Sequence, residues 1–284
     1  MSRLLRSATH LYDRMALRWE GTRCWPRVGS ALVITFLAAL VAIERRRRHL
    51  LPAAFSALVP ENHFYAVNLA FSLLLLVEVV SLVFTLASSV AISVGKQLEI
   101  FSLILLRETF KQFTAFPEPV TWSAVAPHIP AMLADMTGAL AVFALLAFYY
   151  RAQRHQAITP SREDQESFVA TKKLIALALL GLFAAVGLHH SWVYLATGTT
   201  YGFFEVIYTV LILSDVLLVL VALRSSNRYW VVFRNSGFAA TTVLVRLALV
   251  APPILNAALG VAAACLALAF TLAYNTFSRT LHQG

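Results

Sequence analysis

Charged side chains stand inside the longest apolar runs of this chain, and they do so twice in the same order. Glu78 interrupts the run 73–86, Arg107 interrupts 100–116, and Asp135 lies early in the run that reaches Tyr150. Further along, Asp215, Arg246 and Asn256 take corresponding places in the runs 203–223, 229–250 and 254–275. An ionised side chain at mid-bilayer costs at least about 2.5–3.5 kcal/mol on insertion scales, so a chain that places several there is expected to pair them. A planar guanidinium can bind two carboxylates at once. Glu78, Arg107 and Asp135 are therefore one expected polar cluster. Glu205, Asp215, Arg246 and the neutral Asn256 are the second, with Glu205 about 15 Å from Asp215 along a helix. Such clusters serve either of two ends. Acids on a wetted path carry ions or protons or act as a sensor, and static buried pairs fix the register of a bundle. Steep voltage sensing is not expected, because each third span has one central Arg and a voltage sensor repeats a basic residue every third position on one helix.

The elements that must hold these groups follow from composition. Hydrophobic residues make up 59% of the chain, charged residues only 13%, and mean hydropathy is +0.73. Soluble domains run nearer half apolar and a quarter charged. Apolar stretches of about 17–25 residues recur, long enough to cross a hydrocarbon core of about 30 Å. They lack the alternation of a barrel strand. The fold class expected is all-α: a polytopic transmembrane helical protein with about eight spans, 28–44, 64–91, 97–115, 131–150, 171–190, 203–223, 229–250 and 254–275. The net charge of +9 gathers at span boundaries, which points to membrane orientation and not to nucleic acid. Cys24 and Cys265 form no metal or redox motif.

The most hydrophilic stretch, 151–173, divides the chain into two halves of four spans. Setting Asn68 against Glu205 brings Glu78 onto Asp215 without a gap, and a shift of two residues then brings Arg107 onto Arg246. Asp135 falls opposite Asn256. The halves read as a parallel tandem repeat, since four spans per unit leave both units in one orientation. The expected organisation is a basic amphipathic segment 1–27, a first four-helix unit 28–150, a linker 151–170, a second four-helix unit 171–276 and a tail 277–284. No cleavable signal peptide is expected. In 1–27, Leu4, Leu5, Ala8, Leu11, Tyr12 and Met15 share one helical face, and Arg3, Arg6, Arg14 and Arg18 occupy the rest; an interfacial helix on anionic lipid is expected, against a disordered basic tail. Loop charges put both termini and the linker in the cytoplasm. The run Arg45, Arg46, Arg47 and Arg48 conflicts with that orientation. Either the first span is a short, imperfectly inserted element, or the run has a task on the outer side.

Other signals are weaker. His189 and His190, followed by Trp192 and Tyr194, read as an aromatic belt, and no metal site is expected. No nucleophile motif, phosphate loop or HExxH is present, so neither catalysis nor a cofactor is expected. Trp25, Tyr149, Tyr150, Tyr229 and Trp230 read as interface anchors, and Thr241 and Thr242 as packing residues. Pro117, Pro119, Pro127 and Pro130 stiffen a long outer loop, and Pro252 and Pro253 make a tight turn.

The stretch FFEVIYTVLILSD at 203–215, followed by VLVRLALVAPPILNAAL at 243–259, resembles the phosphate-starvation-inducible PsiE family. The resemblance implies a four-span bacterial inner-membrane unit with two acids ten residues apart on the second span, an arginine on the third and an aspartate on the fourth. Glu205, Asp215 and Arg246 match in type, and Asn256 departs. In the first half Glu78, Arg107 and Asp135 match, and Asn68 departs. If both halves count, the resemblance covers most of the chain, as a fused tandem pair in the inner membrane with cytoplasmic termini. It implies fold and location rather than an activity. The function expected is a non-catalytic scaffold or accessory subunit held by the acid–arginine clusters, with an ion or proton channel, transporter or sensor as the alternative. The partners expected are the lipid bilayer with its anionic lipids, and a membrane-protein partner or a second copy of the chain.

Overall fold

The computed structural model describes residues 3–19, 21, 24–50, 52, 59–86, 90–153, 162–197, 202–225 and 229–283. Nine long helices run through these residues: α1 Arg3–Trp19, α2 Cys24–Arg47, α3 Phe64–Thr85, α4 Val90–Lys111, α5 Ile129–Ala152, α6 Arg162–Thr197, α7 Phe203–Ser225, α8 Tyr229–Val250 and α9 Pro253–Gln283. No strand occurs among the described residues. Six segments are long and apolar enough to cross a membrane: α2, α3, 122–152 with α5, and the apolar parts of α6, α7 and α9. With large apolar side chains such as Leu140, Phe143 and Leu213 left exposed, the molecule is an all-helical membrane protein.

Helices α4 and α8 are not among the six, and they carry Arg107 and Arg246. Each is 22 residues long, about 33 Å at 1.5 Å per residue. Both are packed among other helices: α4 touches α3, α5, α8 and α9, and α8 touches α4, α7 and α9. A helix walled in by neighbours needs less apolar surface than one facing lipid.

Several expected boundaries move. The spans set at 64–91 and 97–115 end and begin at Thr85 and Val90. Helix α6 already starts at Arg162, inside the expected 151–170 linker, and α9 continues through the expected tail to Gln283. Residues 154–161 of the linker lie outside the described residues. Charged residues at these ends are compatible with helix, and hydropathy marks only the apolar stretch within each.

Two apolar cores organise the packing, and each draws on both halves of the chain. One is built from α4, α5, α8 and α9, with Leu98, Phe101, Val142, Tyr149, Phe238 and Ala264. The other joins α1, α3, α6 and α7 through Tyr12, Val83, Leu179, Phe183, Ile207 and Leu211. The helices therefore do not segregate into bundles 28–150 and 171–276. The most extensive helix–helix contact, between α5 and α9, crosses between the halves, as does the contact of α4 with α8. Small residues permit the α5–α9 approach: a Cβ built on Gly138 would lie 2.7 Å from the Ala257 Cβ.

Helix α1 forms as the amphipathic pattern expects, but part of its apolar face packs on protein. Tyr12 is buried and donates its hydroxyl hydrogen to the Phe84 carbonyl at 2.6 Å; the Trp19 indole donates to Ser81 Oγ at 2.8 Å. Lys173 Nζ meets Asp13 at 2.6 Å. Leu11, Met15 and Leu17 stay exposed, as do Arg14 and Arg18. The side chains of Arg3 and Arg6 lie outside the described residues. Among the expected interface anchors, Trp25 and Tyr229 are exposed, but Tyr149 is fully buried and donates to the Ala91 carbonyl at 2.7 Å. Tyr150 donates to Glu99 at 2.6 Å.

Candidate functional site

Arg107 and Glu78 meet as an ion pair between α4 and α3. Glu78 is 2% exposed and Arg107 16%. Asp135, on α5, is 0% exposed, and neither carboxylate oxygen has a hydrogen-bond partner among the described residues. It is not in ion-pair contact with Arg107. The expected acid–arginine–acid cluster is thus a pair plus a separate acid, whose electrostatic neighbours are Glu108 and Lys111. Spacing along three helices sets the depth of each side chain but not its direction around the helix.

The second pair repeats the first at a deeper level of burial. Arg246 on α8 is 0% exposed, and its Nε lies 3.6 Å from Asp215 Oδ2 on α7. Asn256 is 4% exposed with its Oδ1 unpartnered among the described residues, and Glu205 is exposed near the start of α7. Neither is in ion-pair contact with Arg246.

Two cavities approach this pair from opposite ends of the molecule. At the α2–α3 end, a cavity of about 490 Å³ is lined by Glu108, Lys111, Glu205, Tyr208, Pro253 and Asn256, among others. A neighbouring cavity of about 200 Å³ shares Leu75, Glu108, Lys111 and Phe204 with it and reaches Arg107 and Asn68. At the α1 end, a cavity of about 40 Å³ is lined by Ser93, Gln97, Lys172, Asp215, Asn235 and Thr242. No residue lines both the 490 Å³ and the 40 Å³ cavities. Tyr208 and Asp215, seven residues apart on α7, belong one to each, and Asp215 is the partner of Arg246.

Sequence reasoning did not single out Gln97, Lys172, Asn235, Glu108 or Tyr208. Asn235 was the legible one of these, a polar residue within the apolar run 229–250. Lys172, at the edge of the hydrophilic stretch 151–173, is buried on α6. Arg234, within the apolar run 229–250, is buried, with its guanidinium 4.5 Å from the Tyr274 ring centroid. The arrangement holds no group of three or more His, Cys, Asp or Glu side chains placed to bind a metal among the described residues.

The arginine run at the end of α2 has a task in the fold. Arg46 pairs with Glu61 at 3.2 Å, Arg47 with Glu118 at 2.8 Å and Arg48 with Glu44 at 2.6 Å. His63 closes the set: its backbone N–H donates to Glu118 Oε1 at 2.7 Å, and its ring nitrogen lies 3.0 Å from Oε2. These bonds from His63, with the charge of Arg47, hold the Glu118 carboxyl below the usual range for a glutamate. Helix α2 is continuous through Arg47, so this end of it is ordered helix tied to α3 and to the loop after α4.

The fold and these buried ion pairs define a polytopic α-helical membrane protein with polar cavities at both ends. Comparison with protein-family models, curated proteins and solved structures gives no match to this chain.

Proposed function

We propose that this chain is a non-catalytic integral membrane protein, a scaffold or accessory subunit built from two PsiE-like repeats and crossing the bacterial inner membrane eight times. The observation that carries the reading is the pair of equivalent ion pairs, Glu78–Arg107 and Asp215–Arg246. They join corresponding neighbouring helices, α3 to α4 and α7 to α8. Contacts between the halves support the repeat, because α5 meets its counterpart α9 and α4 meets its counterpart α8. That is the pattern of a two-fold axis along the membrane normal. In this reading α4 and α8 also cross, screened by their neighbours, and the pairs fix helix register.

The orientation proposed has both termini and the linker in the cytoplasm. Lys172 and Lys173 lie at the α1 end, whereas the sequence stretches 198–202 and 251–252 carry no Lys or Arg. With Cys24 and Cys265 replaced, a cysteine at Thr197 should react with an impermeant maleimide added outside intact cells. One at Gln165 should stay protected. Labelling of both positions would break the eight-crossing topology.

A second reading, ion or proton movement, is favoured by the two cavities that enter from opposite ends of the molecule and reach Tyr208 and Asp215 on α7. Proteoliposomes separate the readings. A scaffold gives no proton or potassium flux above empty vesicles at any pH or voltage. Flux through the wild type that disappears in a Glu205→Gln, Asp215→Asn double variant, with both proteins equally folded, would sink the scaffold reading.

A further inference from the structure

We propose that the 490 Å³ cavity bounded by α4, α7 and the start of α9 is a binding site for a small organic cation, an amine or quaternary ammonium compound with an apolar body. The proposal is independent of whether the chain conducts ions. Its volume falls within the range of about 300–1,000 Å³ usual for small-molecule sites. Its charged lining is net acidic: Glu108 and Glu205 against Lys111, whose ammonium is already engaged with Glu108 at 3.2 Å.

A second, independent observation points the same way. Asn256 lines the cavity, is 4% exposed, and has an Oδ1 acceptor with no partner among the described residues. A buried acceptor without a donor is costly; a protonated amine offers it an N–H, and a quaternary ammonium the weaker, positively polarised C–H groups next to its nitrogen. Phe204 and Tyr208 line the same cavity with ring centroids 6.3 Å apart. Aromatic faces attract cations, quaternary ammonium groups included. The carboxylates are too dispersed to act as one inorganic metal site, since no metal-binding group of side chains occurs among the described residues. Separated acids, a lone acceptor and aromatic walls instead suit a ligand whose charge is spread over an organic frame.

The test uses the full-length protein in detergent, with tetraethylammonium chloride as probe and sodium chloride as the ionic-strength control. The wild type is expected to bind tetraethylammonium saturably, read as a rise in melting temperature and a calorimetric Kd. Glu205→Gln should weaken that Kd about tenfold or more, the scale of one lost charge-assisted contact. Glu205 is exposed and makes no interhelical ion pair, so this variant should melt like the wild type without probe. Glu61→Gln, outside the cavity, should bind as the wild type does. Absence of saturable binding to the wild type, or equal Kd values for wild type and Glu205→Gln, would overturn the proposal. Binding of benzenesulfonate in place of tetraethylammonium would overturn the assigned polarity.

Discussion

Arg246→Leu is expected to destabilise the detergent-solubilised protein by about 3–5 kcal/mol, the loss that follows when one partner of a buried ion pair is removed. Arg246 is 0% exposed and Asp215 4%, so the leucine leaves a carboxylate inside the helix packing without its cation. The double variant Arg246→Leu, Asp215→Leu removes that carboxylate as well. It should recover most of the lost stability, because two apolar side chains of similar volume often replace a buried pair at little cost. Arg107→Leu should cost less than Arg246→Leu. Arg107 is 16% exposed and lines a cavity, whereas Arg246 is 0% exposed, so removing the Arg107 guanidinium opens a path by which water can reach the Glu78 carboxylate. Melting followed by intrinsic fluorescence gives the ranking. A double variant as unstable as Arg246→Leu would show that the pair is not what holds α7 against α8.

How much of this site could be read in the sequence depends on what each signal encodes. A charge inside an apolar run announces its own cost, so Glu78, Arg107, Asp215 and Arg246 were visible as acid–arginine partners before any fold. Asp135 carried the same signal, yet the structure leaves it apart from Arg107, because the direction of a side chain around its helix depends on helix–helix packing. Tyr149 shows the same limit. An aromatic near the end of an apolar run has the composition of an interface anchor, but the face of α5 that carries it meets α4 and α8. In α1 the amphipathic spacing correctly gives a helix. Spacing does not distinguish lipid from protein as the covering surface, and here Tyr12 faces α3 and α6 while Leu11 and Met15 remain uncovered.

The arrangement of the halves was the least legible feature. Pairing between distant helices leaves no local period, and the apolar runs alone fit two separate bundles as well as one shared core. The clue was the run of small residues in α9, with Ala257, Gly260, Ala263, Ala264 and Ala267 recurring at three- and four-residue intervals. In a membrane such a stripe allows backbones to approach closely. That intervals of this kind fall on one helix face is general to helices; that the face meets α5 and α4 is settled only by the fold.

That contact supplies the second large effect. Gly138→Val is expected to destabilise the protein by about 1–3 kcal/mol, the usual cost of forcing extra volume into a close-packed contact. A Cβ at position 138 would meet the Ala257 Cβ at 2.7 Å and its Cα at 3.2 Å. The second of these is backbone, which no side-chain rotation can move aside, so α5 and α9 must separate. Gly181→Val is the matched control, since a Cβ there meets nothing within 4 Å, and it should stay within about 0.5 kcal/mol of the wild type. Adding Ala257→Gly to Gly138→Val should restore part of the loss by removing the opposing methyl group. If Gly138→Val melts with the wild type, α5 and α9 do not meet at this point and the interface between the halves is wrong. If it loses stability as expected, the same displacement acts on the start of α9, which carries Pro253 and Asn256 into the 490 Å³ cavity. Tetraethylammonium affinity should then fall in Gly138→Val although the substituted residue lies outside the cavity lining, because the cavity wall is held in place by the contact between the two halves.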